Sequence, residues 1–153
     1  VSDLDQLARL VDEAAIRRLA LRYAQSVDRR DGAALAELFL PEARLDGSGV
    51  DVRGAAAIAA MPAAMARRYA RTYHIVHNHL VELDGEEARG EVYSEAHHLT
   101  VEADGAASDY VLAITYADRY VRWNSGWRFA GRTLDIKWSR TDPVVAEVVL
   151  GRG

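Results

Sequence analysis

The chain has 153 residues, the length of one ordinary domain, so a single unit over residues 1–153 around one hydrophobic core is expected. Half of the residues are hydrophobic and 27% are charged, and the formal net charge of -4 is spread without a block of one sign. The basic footprint of a nucleic-acid binder is therefore missing, and with no cysteine a disulfide framework, a thiolate metal site and a cysteine nucleophile are all excluded.

The first third reads as helix. Asp12 is a candidate cap for a segment in which Ile16, Leu19, Ala20, Tyr23 and Val27 recur at helical spacing, ending near Gly32. Asp31-Gly32 then opens a second helix over 33–39, closed by Pro41. A short strand over 42–46 leads to a turn at Gly47-Ser48-Gly49, and an alanine-rich helix over 54–71 is expected to break at Pro62, which lacks the amide a helix interior needs. The helical part thus occupies about residues 3–71.

From Tyr73 the pattern changes to period two, with strands over 73–83, 88–102, 108–123 and 127–138. Asp84-Gly85, Asp104-Gly105 and Asn124-Ser125-Gly126 read as tight turns, so the four long strands pair in antiparallel order. Twist accumulates along strands of this length, and the sheet must curl. The helices, each with one apolar stripe, are expected to close one side of the curl and leave an apolar pocket inside. The tail over 139–153 carries Val144, Val145, Val148, Val149 and Leu150, which either fold over the pocket mouth or pack on another subunit. No apolar run approaches the length of a membrane span, and the first residues lack a basic region ahead of an apolar stretch. No membrane association and a cytoplasmic location are the expectations.

Asp28 does not fit a purely structural account. Near a helix C-terminus the macrodipole disfavours a carboxylate by roughly 0.3–1 kcal/mol. An exposed ion pair with Arg29 or Arg30 is the bland alternative. Strict alternation places His74, Val76 and Asn78 on one face of the first long strand and Ile75, His77 and His79 on the other. His77 and His79 with Glu82 have the look of metal ligands, but the spacing is wrong for that pattern and no metal is expected. His97 and His98, adjacent on a strand, point to opposite faces and read as surface or packing residues. Arg132 shares a face with Leu134, Ile136 and Trp138, where desolvation calls for a carboxylate partner or a substrate oxygen. Tyr23 lies on the apolar stripe with a hydroxyl to satisfy. Neither a Gly-x-Gly-x-x-Gly fingerprint nor a phosphate loop occurs, so no cofactor is expected.

Tyr23 with Asp28 in the first helix, His74 with Asn78 in the first long strand, and Trp127-Arg128-Phe129 with Arg132 in the last strand form a pattern that resembles the SnoaL-like branch of the nuclear transport factor 2-like superfamily. The stretch from Ala14-Ala15-Ile16 to Val27-Asp28-Arg29-Arg30 is similar to the helix of hexachlorocyclohexane dehydrochlorinase, and the Tyr, Asp, His, Arg set to that of bile-acid 7α-dehydratase. The resemblance runs from about Leu4 to Trp138. It implies an α+β fold of the cystatin-like barrel kind, a cone-shaped curved antiparallel sheet packed against about three N-terminal helices. It also implies a cofactor-independent lyase with Asp28, His74, Tyr23 and Arg132 as catalytic residues and Asn78, Trp138 and Tyr110 as substrate contacts. Its substrate would be a hydrophobic hydroxylated ring compound, and its assembly a homotrimer or homodimer. Tyr23 stands where the dehydrochlorinase has lysine, which favours loss of water over loss of halide. Double-bond isomerisation and ring closure start from the same proton abstraction. A non-catalytic binder, or a protein like the small subunit of ring-hydroxylating dioxygenases, is the alternative of another class.

Overall fold

Helix α1 (Asp3–Asp28) of the computed structural model, which describes residues 2–150, starts well before Asp12. Ser2 is the cap. Its hydroxyl accepts from the Asp5 amide at 3.2 Å, and the Asp5 carboxylate accepts from the Ser2 amide at 3.0 Å, a reciprocal capping box. Asp12 is thereby left inside the helix, where it takes another part. Arg122 donates to both of its oxygens at 3.1 and 2.7 Å and the Trp127 indole donates at 2.8 Å, tying the helix to the far end of the sheet. The expected stripe of Ile16, Leu19, Ala20, Tyr23 and Val27 is the buried face. Full burial of each large member contributes roughly 1.5–3 kcal/mol.

Helix α2 (Gly32–Ala36) is capped by the Asp31 carboxylate, which accepts from the Ala34 amide at 2.9 Å, and stops short of Phe39. Phe39 and Pro41 belong instead to strand β1 (Phe39–Gly47), where Pro41 falls in an irregular stretch of the pairing and its missing amide costs nothing. The glycine turn leads into a short strand the sequence pattern did not announce, β2 (Val50–Arg53). The alanine-rich segment does break beside Pro62, into α3 (Ala55–Ala59) and α4 (Met61–Ala66).

The four long strands are β3 (Arg71–Asp84), β4 (Glu87–Val101), β5 (Ala107–Trp123) and β6 (Gly126–Pro143), and consecutive members pair antiparallel. The six-stranded sheet has the order β2-β1-β6-β5-β4-β3 and is mixed, because β1 runs parallel to β6. This corrects the expectation of an all-antiparallel sheet. The parallel pairing brings the first strand back along the last, with Phe39 and Phe129 stacked 4.8 Å apart across the join.

Register shifts between Val76 and His79, at Ala113/Ile114 and at Arg119/Tyr120 bend the sheet around α1. Each extra residue also reverses the alternation beyond it. On β3, Thr72, His74 and Val76 face inward, and past the bulge His79, Val81 and Leu83 do so. On β6, Ile136 pairs with Ile114 but Trp138 with Ala113, so Lys137 is the extra residue and Trp138 turns outward. Inside, Ile16, Leu19, Tyr23, Leu38, Phe39, Tyr120 and Phe129 make one core, and Ala20, Val92, Ala96, Ile114 and Tyr116 continue it. The tail ends in α5 (Ala146–Val149), with Val149 buried. Asp12→Ala should lower stability by about 1–3 kcal/mol, since two donors lose a charged acceptor. The urea midpoint measures this, and Asp12→Asn should recover part of it.

Candidate functional site

Thr72 and His74 are two residues apart on the inward face at the start of β3, and both reach the carboxylate at the end of α1. The His74 ring Nδ1 lies 2.7 Å from Asp28 Oδ1. The His74 backbone amide donates to Oδ2 at 2.8 Å, and the Thr72 hydroxyl donates to Oδ1 at 3.0 Å. The bland alternative, an ion pair with Arg29 or Arg30, is not what is found; Arg30 donates instead to the Tyr69 and Ala70 carbonyls. Burial works against the Asp28 charge, but the His74 ring, the His74 amide and Thr72 outweigh it and hold the carboxyl below its ordinary value. An ionised acceptor requires the donor at Nδ1, so the neutral His74 ring keeps Nε2 as its basic nitrogen.

His98 shares the inward face, its ring centroid 5.9 Å from that of His74 in an edge-on arrangement. Its Nδ1 donates to the Tyr110 carbonyl at 3.1 Å, and burial holds its pKa below the ordinary histidine value, partly offset by that bond. His98 was read from the sequence as a surface or packing residue. Period two from β4 does place it inward with Ala96 and Ser94, but nothing in the sequence marks which of the two adjacent histidines faces in. Tyr110 is on the same face, its ring 6.2 Å from that of His98. Thr72 was also missed, although the face it shares with His74 was a usable signal.

The other expected residues separate from this group. Tyr23 packs edge-on against Phe39, Tyr116 and Phe129, and burial raises its pKa against the pull of Arg132. Arg132, 2% exposed, donates to both oxygens of Asp118 at 2.8 and 2.9 Å, with its guanidinium 4.4 Å from the Tyr23 ring centroid and 4.0 Å from that of Tyr116. Its charge is thus already matched by a buried carboxylate. Asn78 sits exposed in the β3 bulge, and Trp138 is exposed on the outer face; the two bulges that reversed the alternation took both away from His74. The same bulge puts His77 and His79 apart, His77 against Glu95 and His79 against Tyr120, so they do not form a ligand pair.

Tyr23, Tyr116 and Arg132 are buried on the concave side and are not open to solvent. A cleft of about 910 Å³ lies instead at the end of α1. It is lined by Asp28 and Thr72 at one end, runs over the start of β3, and is walled on the far side by Val144, Val145, Val148 and Val149 of the tail. His74 is not in its lining; the dyad meets the cleft through Asp28.

The SnoaL-like domain family matches residues 8–133 of the chain. No curated protein matches it. Among solved structures, hexachlorocyclohexane dehydrochlorinase LinA-type3 from Novosphingobium barchaimii superposes with a TM-score of 0.77 at 22% identity, over 94% of each chain. A candidate scytalone dehydratase from Novosphingobium aromaticivorans also gives 0.77 at 22% identity, covering 86% of this chain and 88% of that one. A protein of the same organism described as nuclear transport factor 2-like with a cystatin-like fold gives 0.75 at 24%, over 88% and 87%. At these identities the likeness is one of fold.

The network behind the dyad makes stability depend on pH. Tyr120 donates its proton to Asp118 at 2.7 Å, so His79 Nε2, 3.1 Å away, must donate to the tyrosine oxygen, which leaves His79 Nδ1 buried without a partner. Gly90 makes room for the contact, since a Cβ there would come within 2.9 Å of the Tyr120 ring. Burial lowers the His79 pKa from 6.5 to about 4, Asp118 opposing and Arg132 assisting. The unfolded chain therefore takes up a proton below pH 6.5 that the folded one refuses. His79 contributes stability that is complete above that pH and lost as pH falls toward 4. The wild type should lose on the order of 1–3 kcal/mol from this group between pH 7 and 4. Denaturation at several pH values should show a shallower slope for His79→Gln.

Proposed function

Because this chain belongs to the SnoaL-like domain family, we propose that it is a cofactor-independent lyase that removes water from a hydrophobic hydroxylated ring compound, with His74 as general base. The observation that carries the reading is the 2.7 Å contact between His74 Nδ1 and an Asp28 carboxylate already held by two further donors. The neighbours that include a dehydrochlorinase and a candidate dehydratase support it as relatives in fold.

In this mechanism Asp28 fixes the tautomer and orientation of His74 and stabilises the imidazolium formed when Nε2 takes a proton beside a carbonyl. The hydroxyl on the adjacent carbon leaves as the carbon–carbon double bond forms, and the proton on His74 returns to it as water. His98 borders His74 on the inward face, its Nδ1 proton committed to the Tyr110 carbonyl, so it packs beside the base and takes no part in the proton transfers. Tyr23 and Arg132 pack on each other in the core, and the α1 end of the cleft, where Asp28 and Thr72 lie, is the approach for substrate.

A thermal-shift screen of hydrophobic hydroxy-ketones, followed by product analysis, tests the proposal. A hit should be converted to its dehydrated product. His74→Ala should lower turnover by about 10²–10⁴-fold while the Tm stays within a few degrees. Undiminished turnover in His74→Ala would sink the mechanism, and an isomerised product of unchanged mass would redirect it to double-bond migration.

A further inference from the structure

A second histidine–carboxylate contact has no part in that mechanism. His97 and Asp109 stand on the outer face of β4 and β5, opposite in alternation to His98 and Tyr110. His97 Nδ1 lies 2.6 Å from Asp109 Oδ2, with the side chains 21% and 14% exposed. The pair differs from Asp28–His74 in one respect. Asp28 receives three donors, whereas Asp109 receives only the His97 ring among the described residues, and its Oδ1 is buried with no partner. A carboxylate that merely anchors a histidine would have its second oxygen satisfied as well.

With Nδ1–H donating to Asp109, the neutral His97 ring offers Nε2 as an acceptor, and since Asp109 Oδ1 is buried out of a ligand's reach, Nε2 is the atom of the pair that a donor can meet. Both residues line the 910 Å³ cleft, whose wall beside them is Leu99, Val145 and Val148 and whose rim carries Arg29 and Arg71. The apolar wall calls for an apolar body. The arginines disfavour an ammonium donor and favour a group that gains negative charge as its proton moves to histidine. The volume is that of an ordinary small-molecule site.

We infer that the part of this cleft at His97 and Asp109 is a ligand subsite of its own, which binds an apolar ring compound through an acidic hydroxyl, a phenol or enol, directed at His97. His97 and Asp109 stand on the sheet face opposite to His74, although Asp28 and Thr72 line the same cleft, and the inference does not rest on the lyase reading. Tyr73, its ring 6.4 Å from that of His97, adds an aromatic surface beside the hydroxyl position.

Titration of the wild-type protein with naphthol and with its methyl ether, by calorimetry, tests the inference without any substitution. Naphthol should bind, and the ether, which has no proton to give, should bind at least about tenfold more weakly, the loss expected for one hydrogen bond to such a pair. His97→Phe should weaken naphthol to the level of the ether, and His77→Phe, outside the cleft, should leave it unchanged. Should His97→Phe fail to fold, the wild-type imidazole resonances decide: those of His97 should shift on addition of naphthol and those of His74 should not. Equal affinity for naphthol and its ether, no binding of naphthol, or a response confined to His74 would each overturn the assignment.

Discussion

A guanidinium removed from water needs its counter-charge within hydrogen-bonding distance, and Arg132 finds it in Asp118 on the adjacent strand. Desolvation alone would push the Arg132 pKa down; the Asp118 carboxylate more than offsets it and keeps the arginine charged. Much of the interior is arranged about this pair. Tyr23, Tyr116 and Phe129 present ring faces to the guanidinium, and Tyr120 closes the second side of the carboxylate. Since Tyr23 belongs to α1, the ion pair of the last two strands also sets where the long helix lies.

That placement positions the site. With the Tyr23 stripe seated on the concave side and Asp12 clamped by Arg122 and Trp127, the last turn of α1 arrives at the start of β3. Asp28 there accepts from a backbone amide, a hydroxyl and an imidazole of one edge strand. The unfavourable end of the helix dipole is outweighed by three short hydrogen bonds, which explains why a carboxylate occupies a position better suited to an arginine.

The molecule thus holds two histidine–aspartate contacts on opposite faces of the sheet, differing in how completely the carboxylate is satisfied. The inner one is saturated, which suits a group that orients a base. The outer one is not, and it opens on a cleft whose wall is built from the apolar tail. The tail packs on this chain through Val149, which is buried, while Val145, Val148 and Leu150 stay exposed.

Much of the fold was legible in the sequence because it depends on local periodicity. The buried stripe from Ile16 to Val27, the four long strands, the three tight turns and the break at Pro62 are set by residues near one another in the chain. The Asp28–His74 pair was legible only through family resemblance, since no local rule joins positions so far apart. The capping box at Ser2 was overlooked because Asp5 takes the place of the usual glutamate or glutamine. The faces of Asn78, His79 and Trp138 were misread because a bulge is one extra residue with no compositional mark, and it reverses every side chain beyond it. Composition and alternation by themselves determined the curled sheet and its helical cover. Only the tertiary structure decided the parallel return of β1, the burial of Arg132 against Asp118 and its aromatic neighbours, and which histidines face inward. Each of these depends on pairings between distant segments, where register and packing, not local propensity, carry the free energy.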